Sequence, residues 1–198
     1  VHSALLLFNQ YKDCVHGLDL PGGDAIRREN LKNYIGSFKK KPPVLVLGEA
    51  AGPWGCRFSG IPFTGERQLV CGGLPFGGNK SSAHEPPYLE RSGSILWKTM
   101  LSYYPEFILW NTVPFLPHKK GLPLSIRKPS KEEVLSSAEA LGKIIGSLGP
   151  GLILAVGRTA EGALKHIGVK SVYVRHPSNG GAGEFREGIN RAFGDLRP

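Results

Sequence analysis

Four short apolar runs, separated by segments with helical periodicity, constrain the fold of this chain more than any other feature. The runs are bounded by Pro or Gly and lie at Val44–Leu47, Phe107–Trp110, Gly151–Val156 and Ser171–Arg175. Such runs are typical of strands that are buried on both faces of a parallel sheet. Because parallel neighbours need crossover connections, the alternation predicts an α/β fold, a three-layer α/β/α sandwich with a central four-stranded parallel sheet.

The segments between these runs carry helix signals. Ser130 and Glu133 form a capping box that opens a helix with a single apolar stripe. Further helices are predicted at Asp24–Phe38, Thr159–Ile167 and Ala182–Phe193. Cys71–Pro87 lacks periodicity and indicates a long surface loop. With 198 residues and no break in composition, we predict a single domain over residues 1–198, in which residues 1–43 form a helical extension packed on the core.

The charge and the cysteines restrict the function and the compartment. Lys and Arg number 25 against 16 acidic residues, a net charge of +9, which favours a polyanion such as nucleic acid over a neutral metabolite. Three cysteines without a C-x-x-C pair argue against a disulfide framework, a zinc ribbon and a four-cysteine iron–sulfur site. We therefore expect a reducing compartment, cytoplasmic or nuclear. The apolar run Ala4–Phe8 is too short to span a membrane, so we expect a soluble monomer without a membrane partner.

Polar signatures begin where three of the apolar runs end. Gly48-Glu49-Ala50-Ala51-Gly52 follows the first run, Asn111 the second, and His176-Pro177-Ser178 the fourth. Because the carboxyl ends of parallel strands meet at one edge of a sheet, these groups are expected to converge on one ligand. An ordinary turn explains the first segment equally well, and a turn or strand-end cap explains Asn111.

Several site types are disfavoured by spacing. The glycine segment lacks the Gly-Lys-Ser/Thr of a phosphate-binding loop and the G-x-G-x-x-G of a dinucleotide fold. The other histidines have no metal-ligand spacing, so no metal site is predicted.

Taken together, these signatures and the run Gly60-Ile61-Pro62-Phe63-Thr64-Gly65-Glu66 resemble the uracil-DNA glycosylase superfamily over roughly residues 44–193. The resemblance implies a four-stranded parallel sheet, excision of a deaminated base from DNA, and no cofactor. It also implies that Phe63 stacks on the flipped base, Asn111 hydrogen-bonds its edge and His176 reaches its O2 oxygen. The substrate-binding residues implied in this way are Gly48, Ala50, Ala51, Gly52, Phe63 and Asn111. The DNA-binding residues implied are Arg175, Pro177, Ser178, Asn179, Gly180 and Gly181.

The chain departs from the family pattern at two positions. Where the best-known branch has a water-orienting aspartate, and another branch an asparagine, this chain has Ala50. The branch with an apolar residue there carries an aspartate in place of Glu66, so the resemblance implies Glu66 as the catalytic carboxylate, with Glu49 second, beside His176. Gly52 replaces a tyrosine that rejects the methyl group of thymine in the strictest uracil enzymes, which implies a broader tolerance for bases.

The predicted function is a monofunctional base excision repair hydrolase. It flips uracil out of DNA and hydrolyses the N-glycosidic bond to leave an abasic site. No lysine stands out as a Schiff-base nucleophile, which favours hydrolysis without strand scission. Two alternatives stay open at this point. One is a glycosylase for hypoxanthine or another deaminated base, and the other is a damage-binding or covalently trapping module with weak turnover.

Overall fold

A four-stranded parallel sheet forms the centre of the molecule. The computed structural model describes residues 6–194, so the parts of the predicted domain and of the Ala4–Phe8 run that fall in residues 1–5 and 195–198 lie outside the described residues. The strand order is β3-β2-β5-β6, and every neighbouring pair is parallel. The bounds are β2 Val44–Ala50, β3 Phe107–Val113, β5 Leu152–Val156 and β6 Val172–Val174. The predicted fold class is confirmed, and all four apolar runs are strands.

Helices cover the sheet on both sides. Helix α5 packs on β3 and on α6, and α6 packs on β2 and β5, whereas α7 packs on β6 and α4. Aromatic contacts from Tyr34 through Phe76, Trp97 and Phe107 to Phe193 connect α1, α4 and α7 across the second face. The bounds are α1 Gly23–Gly36, α2 Cys56–Ser59, α3 Glu66–Val70, α4 Arg91–Met100, α5 Lys131–Leu148, α6 Arg158–His166 and α7 Ala182–Gly194. The four predicted helices are α1, α5, α6 and α7.

Three α-helices, a 3₁₀ helix at Leu101–Tyr103 and a small antiparallel pair were not predicted. Strands β1 (Leu7–Phe8) and β4 (Leu116–Pro117) pair in register Leu7 to Pro117, and both are two residues long. Helices α2 and α3 have four and five residues, too few to show a period. The capping box of α5 is present as expected, with the Glu133 N–H donating to the Ser130 hydroxyl at 3.2 Å.

The N-terminal segment is tied to the sheet and to the segment that follows β2. The Leu109 N–H of edge strand β3 donates to the Tyr34 hydroxyl of α1 at 2.7 Å. Buried Asp19 accepts from both Arg27 and Arg57, at 2.7 and 2.6 Å. Two guanidinium groups on one carboxylate therefore fix α1 against α2, and with it the chain that leads to Phe63. That residues 1–198 form a single domain stays a prediction.

Within the described residues, no helix is long and apolar enough to cross a membrane.

Candidate active site

A cavity of about 430 Å³ lies at the carboxyl end of the sheet. Strand β2 has β3 on one side and β5 on the other, so the chain switches side at this point, which is where open α/β sheets bind their ligands. The predicted site residues that line this cavity are Glu49, Ala50, Ala51, Gly52, Phe63, Asn111, Arg175, His176, Ser178 and Asn179. Loops that are far apart in sequence therefore meet here, as expected from the strand-end signatures.

One wall of the cavity is formed by Phe63 and Asn111, and Gly48 allows them to approach. Gly48 lies beside Asn111 in the β2–β3 register. A Cβ at position 48 would lie 2.5 Å from two Phe63 ring carbons and 2.7 Å from Asn111 Oδ1, so a larger residue does not fit. Phe63 has a φ of 53°, in the left-handed region that bulky residues rarely adopt. The wall thus presents a flat ring and an amide in fixed positions.

The imidazole of His176 is held in one tautomer by Ser178. The Ser178 backbone N–H donates to Nδ1 at 3.2 Å, and the Ser178 hydroxyl lies 2.7 Å from the same atom. Because a backbone N–H only donates, Nδ1 accepts, and the neutral ring carries its proton on Nε2. His176 therefore has a free N–H donor, and its ring centroid lies 6.0 Å from that of Phe63.

Burial also keeps His176 neutral. It lowers the pKa of His176 below its usual range, Glu49 opposes this shift, and Arg175 adds to it. Glu49 is fixed in turn, since the Thr159 hydroxyl at the start of α6 donates to its Oε2 at 2.5 Å. A neutral N–H donor and a carboxylate thus occur together in the cavity.

Glu66 is not brought into the cavity, contrary to its predicted role beside the substrate. It is fully buried, and Oε1 accepts from the N–H groups of Ser81 and Ser82 at 2.6 and 2.8 Å. The Ser82 hydroxyl donates to Oε2 at 2.5 Å. Because these three bonds occupy the carboxylate, Glu66 fastens the irregular segment 71–87 to the first turn of α3. The carboxylate among the predicted residues that does line the cavity is Glu49.

Sequence reasoning missed Glu90, a second carboxyl group at the cavity. Burial raises the pKa of Glu90 to about 7, and Oε2 is buried without a hydrogen-bond partner in the described residues. A Cβ at Gly55 would lie 1.8 Å from this oxygen, so the glycine makes room for it. Glu90 occupies the N-cap position of α4, a helix that was not predicted, and the sequence around it carries no motif that singles it out.

A cationic rim was also missed. Besides Arg175, the cavity is lined by Arg127, Lys128 and Arg158. Arg158 lies over the Tyr173 ring at 3.9 Å, and Arg127 is paired with Glu133 at 2.5 Å. A signal was present in one case, since Gly157-Arg158-Thr159 directly follows the third apolar run, as the other site segments follow theirs.

The segment after His176 forms a tight exposed turn. The Gly181 N–H donates to the Ser178 carbonyl at 3.0 Å, and Asn179 and Gly180 between them have φ values of 51° and 79°. Both tip residues are exposed, whereas Pro177 and Gly181 are buried beneath them. Of the predicted DNA-binding residues, the tip and Arg175 are thus accessible, and the buried two shape the turn.

Residues 6–194 contain no group of three or more His, Cys, Asp or Glu side chains that could hold a metal ion.

The family follows from comparison with known proteins. The model of the Uracil DNA glycosylase superfamily matches residues 35–193. The chain belongs to this superfamily. Membership makes it a DNA glycosylase in the general sense, a hydrolase that acts on DNA. The resemblance noted in the sequence is confirmed.

Comparison with solved structures agrees on the fold. The crystal structure of wild-type SMUG2 from Pedobacter heparinus matches with a TM-score of 0.64 and 19% sequence identity, over 94% of this chain and 94% of that chain. At this identity the likeness concerns the fold alone.

Proposed function

We propose that this member of the superfamily is a monofunctional glycosylase that flips uracil out of DNA and hydrolyses its N-glycosidic bond. The observation that carries the proposal is the convergence of the Phe63 ring, the Asn111 amide and the Nε2–H group of His176 on one cavity. These three groups match a planar base that has both donors and acceptors on its edge. Cleavage leaves an abasic site.

Recognition would rest on the wall formed by Phe63 and Asn111. The base stacks on the ring, and the amide supplies one acceptor and two donors to its edge. Asn111 is almost fully buried, and it lines the cavity beside Phe63. Reading a base edge in this way requires the nucleotide to leave the stack, at a cost of a few kcal/mol.

Departure of the base would be assisted by His176. When the N-glycosidic bond breaks, negative charge develops on the uracil ring and its oxygens. A neutral imidazole that donates through Nε2–H can stabilise this charge without transferring a proton. Removing one such donor typically costs about 3–4 kcal/mol of transition-state stabilisation.

We assign the carboxylate role to Glu49 instead of Glu66. Glu49 lines the cavity and is oriented by the Thr159 hydroxyl, whereas Glu66 is occupied by the Ser81–Ser82 segment. A carboxylate at this position can orient the attacking water and offset the positive charge that develops on the sugar. The adjacent Ala50 then leaves space for the water without contributing to its activation.

Phosphate contacts would come from the cationic rim and from the exposed Asn179–Gly180 tip. Backbone N–H groups and basic side chains bind phosphates without reading sequence. The net charge of +9 supports this arrangement. The enzyme is proposed to act as a monomer. Its three unpaired cysteines support a reducing compartment, the cytoplasm or the nucleus.

Hypoxanthine is a second candidate substrate, because Gly52 itself contributes no side chain to the cavity. A base-excision assay on oligonucleotides that contain uracil, hypoxanthine, xanthine or thymine, single- and double-stranded, followed by alkali, separates the candidates. We expect alkali-labile sites at uracil. Strand cleavage before alkali would exclude a monofunctional enzyme, and an adduct that resists denaturation would indicate a trapping module instead.

A further inference from the structure

A second cavity, of about 440 Å³, lies next to the active site. Gly52, Glu90, Ser92 and Ile126 line both cavities, so they form a shared wall. The proposed function uses the first cavity only. We call the second one the Trp54 groove, because Trp54 is its aromatic side chain.

The Trp54 groove is apolar and open to solvent. Trp54, Leu89 and Ile126 are 43%, 42% and 71% exposed, although all three are large hydrophobic residues. Contiguous apolar side chains at the surface of a protein commonly mark a binding site. Because the groove shares a wall with the first cavity, one extended ligand can contact both.

The aromatic floor of the groove is positioned by stacking. The Trp54 ring packs on Tyr88, with centroids 5.1 Å apart. Tyr88 stacks on Phe58 at 4.6 Å and on His84 at 4.3 Å. Since Phe58 is fully buried, the exposed indole rests on an aromatic stack that is anchored in the core.

Basic residues lie in the groove and beside it. Arg91 lines it, and Arg127 and Lys128 follow Ile126 directly in sequence. Arg127 donates to both carboxylate oxygens of Glu133, at 2.7 and 2.5 Å, which holds this loop in place. Glu90 is the acidic group in the wall, and burial raises its pKa to about 7, which reduces its negative charge near neutral pH.

We propose that the Trp54 groove binds the nucleobase next to the flipped one in the same DNA strand, by stacking on Trp54. An aromatic platform beside basic side chains is the arrangement with which proteins hold single-stranded nucleic acid. The shared wall allows one strand to occupy both cavities. The inference rests on the proposed function, since it assumes that the first cavity receives a base from DNA.

The test uses single-stranded oligonucleotides with a central uracil and either a normal base or a base-free tetrahydrofuran spacer on its 5′ or 3′ side. Binding is measured with the full chain on ice, before turnover, and uracil release is measured separately. For the wild type, we expect a spacer on one side, but not the other, to raise Kd on the order of tenfold. Trp54→Ala should raise Kd for the spacer-free oligonucleotide by a similar factor and show no further loss with the spacer, and Trp54→Phe should restore part of the affinity.

Leu122→Ala is the matched control, because Leu122 is 57% exposed on the same loop as Ile126 but does not line the groove. It should bind like the wild type. An unchanged Kd for the oligonucleotide in a folded Trp54→Ala protein would overturn the subsite. This is also the result expected if the groove binds a protein partner and not DNA. If the wild type releases uracil but the spacer does not change Kd, the proposed function stands and the subsite is rejected. If the spacer raises Kd but no uracil is released, the proposed function is rejected and the subsite for a DNA base stands.

Discussion

Three glutamates near the active site show how position decides the role of one residue type. Glu49 lies near the end of β2 and lines the cavity, whereas the carboxylate of Glu66 accepts three hydrogen bonds from Ser81 and Ser82. Glu90 is partly buried, and its Oε2 is buried without a hydrogen-bond partner in the described residues. Glu66 lies three residues after Phe63 in the sequence, and the resemblance to the superfamily implied a catalytic role for it. Adjacency in sequence does not determine direction, and the first turn of α3 directs the side chain of Glu66 away from the cavity.

Glu49→Gln should lower the rate of uracil release, whereas Glu66→Gln should lower the stability of the protein. Glu49→Gln should slow single-turnover uracil release on the order of 10²-fold with little change in stability, because it removes the charge that orients water. Glu66→Gln should lower the free energy of unfolding by about 1–3 kcal/mol, since weaker neutral hydrogen bonds would replace the charge-assisted ones that the carboxylate accepts from Ser81 and Ser82. It should leave the rate of the folded enzyme nearly unchanged. Urea denaturation and single-turnover kinetics on both variants measure this. A larger loss of rate in Glu66→Gln would return the catalytic role to that residue.

Glu90 should make stability depend on pH. Its pKa is about 7 when folded, against an ordinary value of 4.5, so below pH 4.5 both states are protonated and there is no penalty. Between pH 4.5 and pH 7, Glu90 is ionised in the unfolded chain but stays protonated in the folded protein, so the free energy of unfolding falls as the pH rises. Above pH 7 Glu90 is ionised in both states, and the loss of stability is complete. At about 1.4 kcal/mol per pKa unit, the upper bound is about 3 kcal/mol.

Glu90→Gln removes this titration. The stability of the variant relative to the wild type should therefore rise between pH 4.5 and pH 8, as measured by urea unfolding at both values. If the variant and the wild type differ in stability by the same amount at both pH values, the pKa of Glu90 is not raised in the folded protein.

At the scale of the elements, the strand ends bring the site together. The approach of β2 and β3 places Gly48 beside Asn111, and Gly48 makes room for the Phe63 ring. The apolar runs and the Ser130 capping box are local signals, and they predicted the strands and α5 correctly. Helix α4 and the position of Glu90 depend on contacts between distant segments, such as Glu90 against Gly52 and Gly55, for which a single sequence carries no periodic signal.

Gly48→Ala should lower the activity of the enzyme without unfolding it. The added Cβ would meet Phe63 and Asn111 at 2.5 and 2.7 Å, so the ring or the amide must move out of position. We expect uracil release to fall at least about tenfold, because small displacements of a positioned group are costly in catalysis. Gly146→Ala, in α5 with nothing within 4 Å of the new Cβ, is the control and should retain full activity. Normal release by Gly48→Ala would show that the Phe63–Asn111 wall does not bind the base.

At the scale of the whole molecule, four basic side chains from separate segments of the chain line the cavity, namely Arg127, Lys128, Arg158 and Arg175. The charge of +9 was visible in the sequence, but its placement was not, because Arg127, Lys128 and Arg158 come from segments joined only by the fold. Arg127 and Arg158 are also paired with acidic side chains, Glu133 and Glu161. Lys128 and Arg175 form no salt bridge in the described structure, so they are the cations most available to phosphates.

DNA binding should therefore be steeply dependent on salt and insensitive to the surrounding sequence. Two phosphate contacts give a slope of about −1.8 for the logarithm of affinity against the logarithm of salt concentration. The double substitution Lys128→Ala and Arg175→Ala should reduce the slope by about that amount, as measured by fluorescence anisotropy from 50 to 300 mM salt. A flat plot for the wild type would reject phosphate binding by this surface.

The most direct test of the account is single-turnover release of free uracil from a uracil-containing oligonucleotide by the wild type and by His176→Ala. The account predicts that the wild type releases uracil and leaves an intact, alkali-labile strand. His176→Ala should be slower on the order of 10²-fold while Kd changes little, because the Nε2–H donor meets charge that develops mainly in the transition state. Equal rates for the two folded proteins, or no uracil release by the wild type, would contradict the assignment of this cavity as a uracil-excising site.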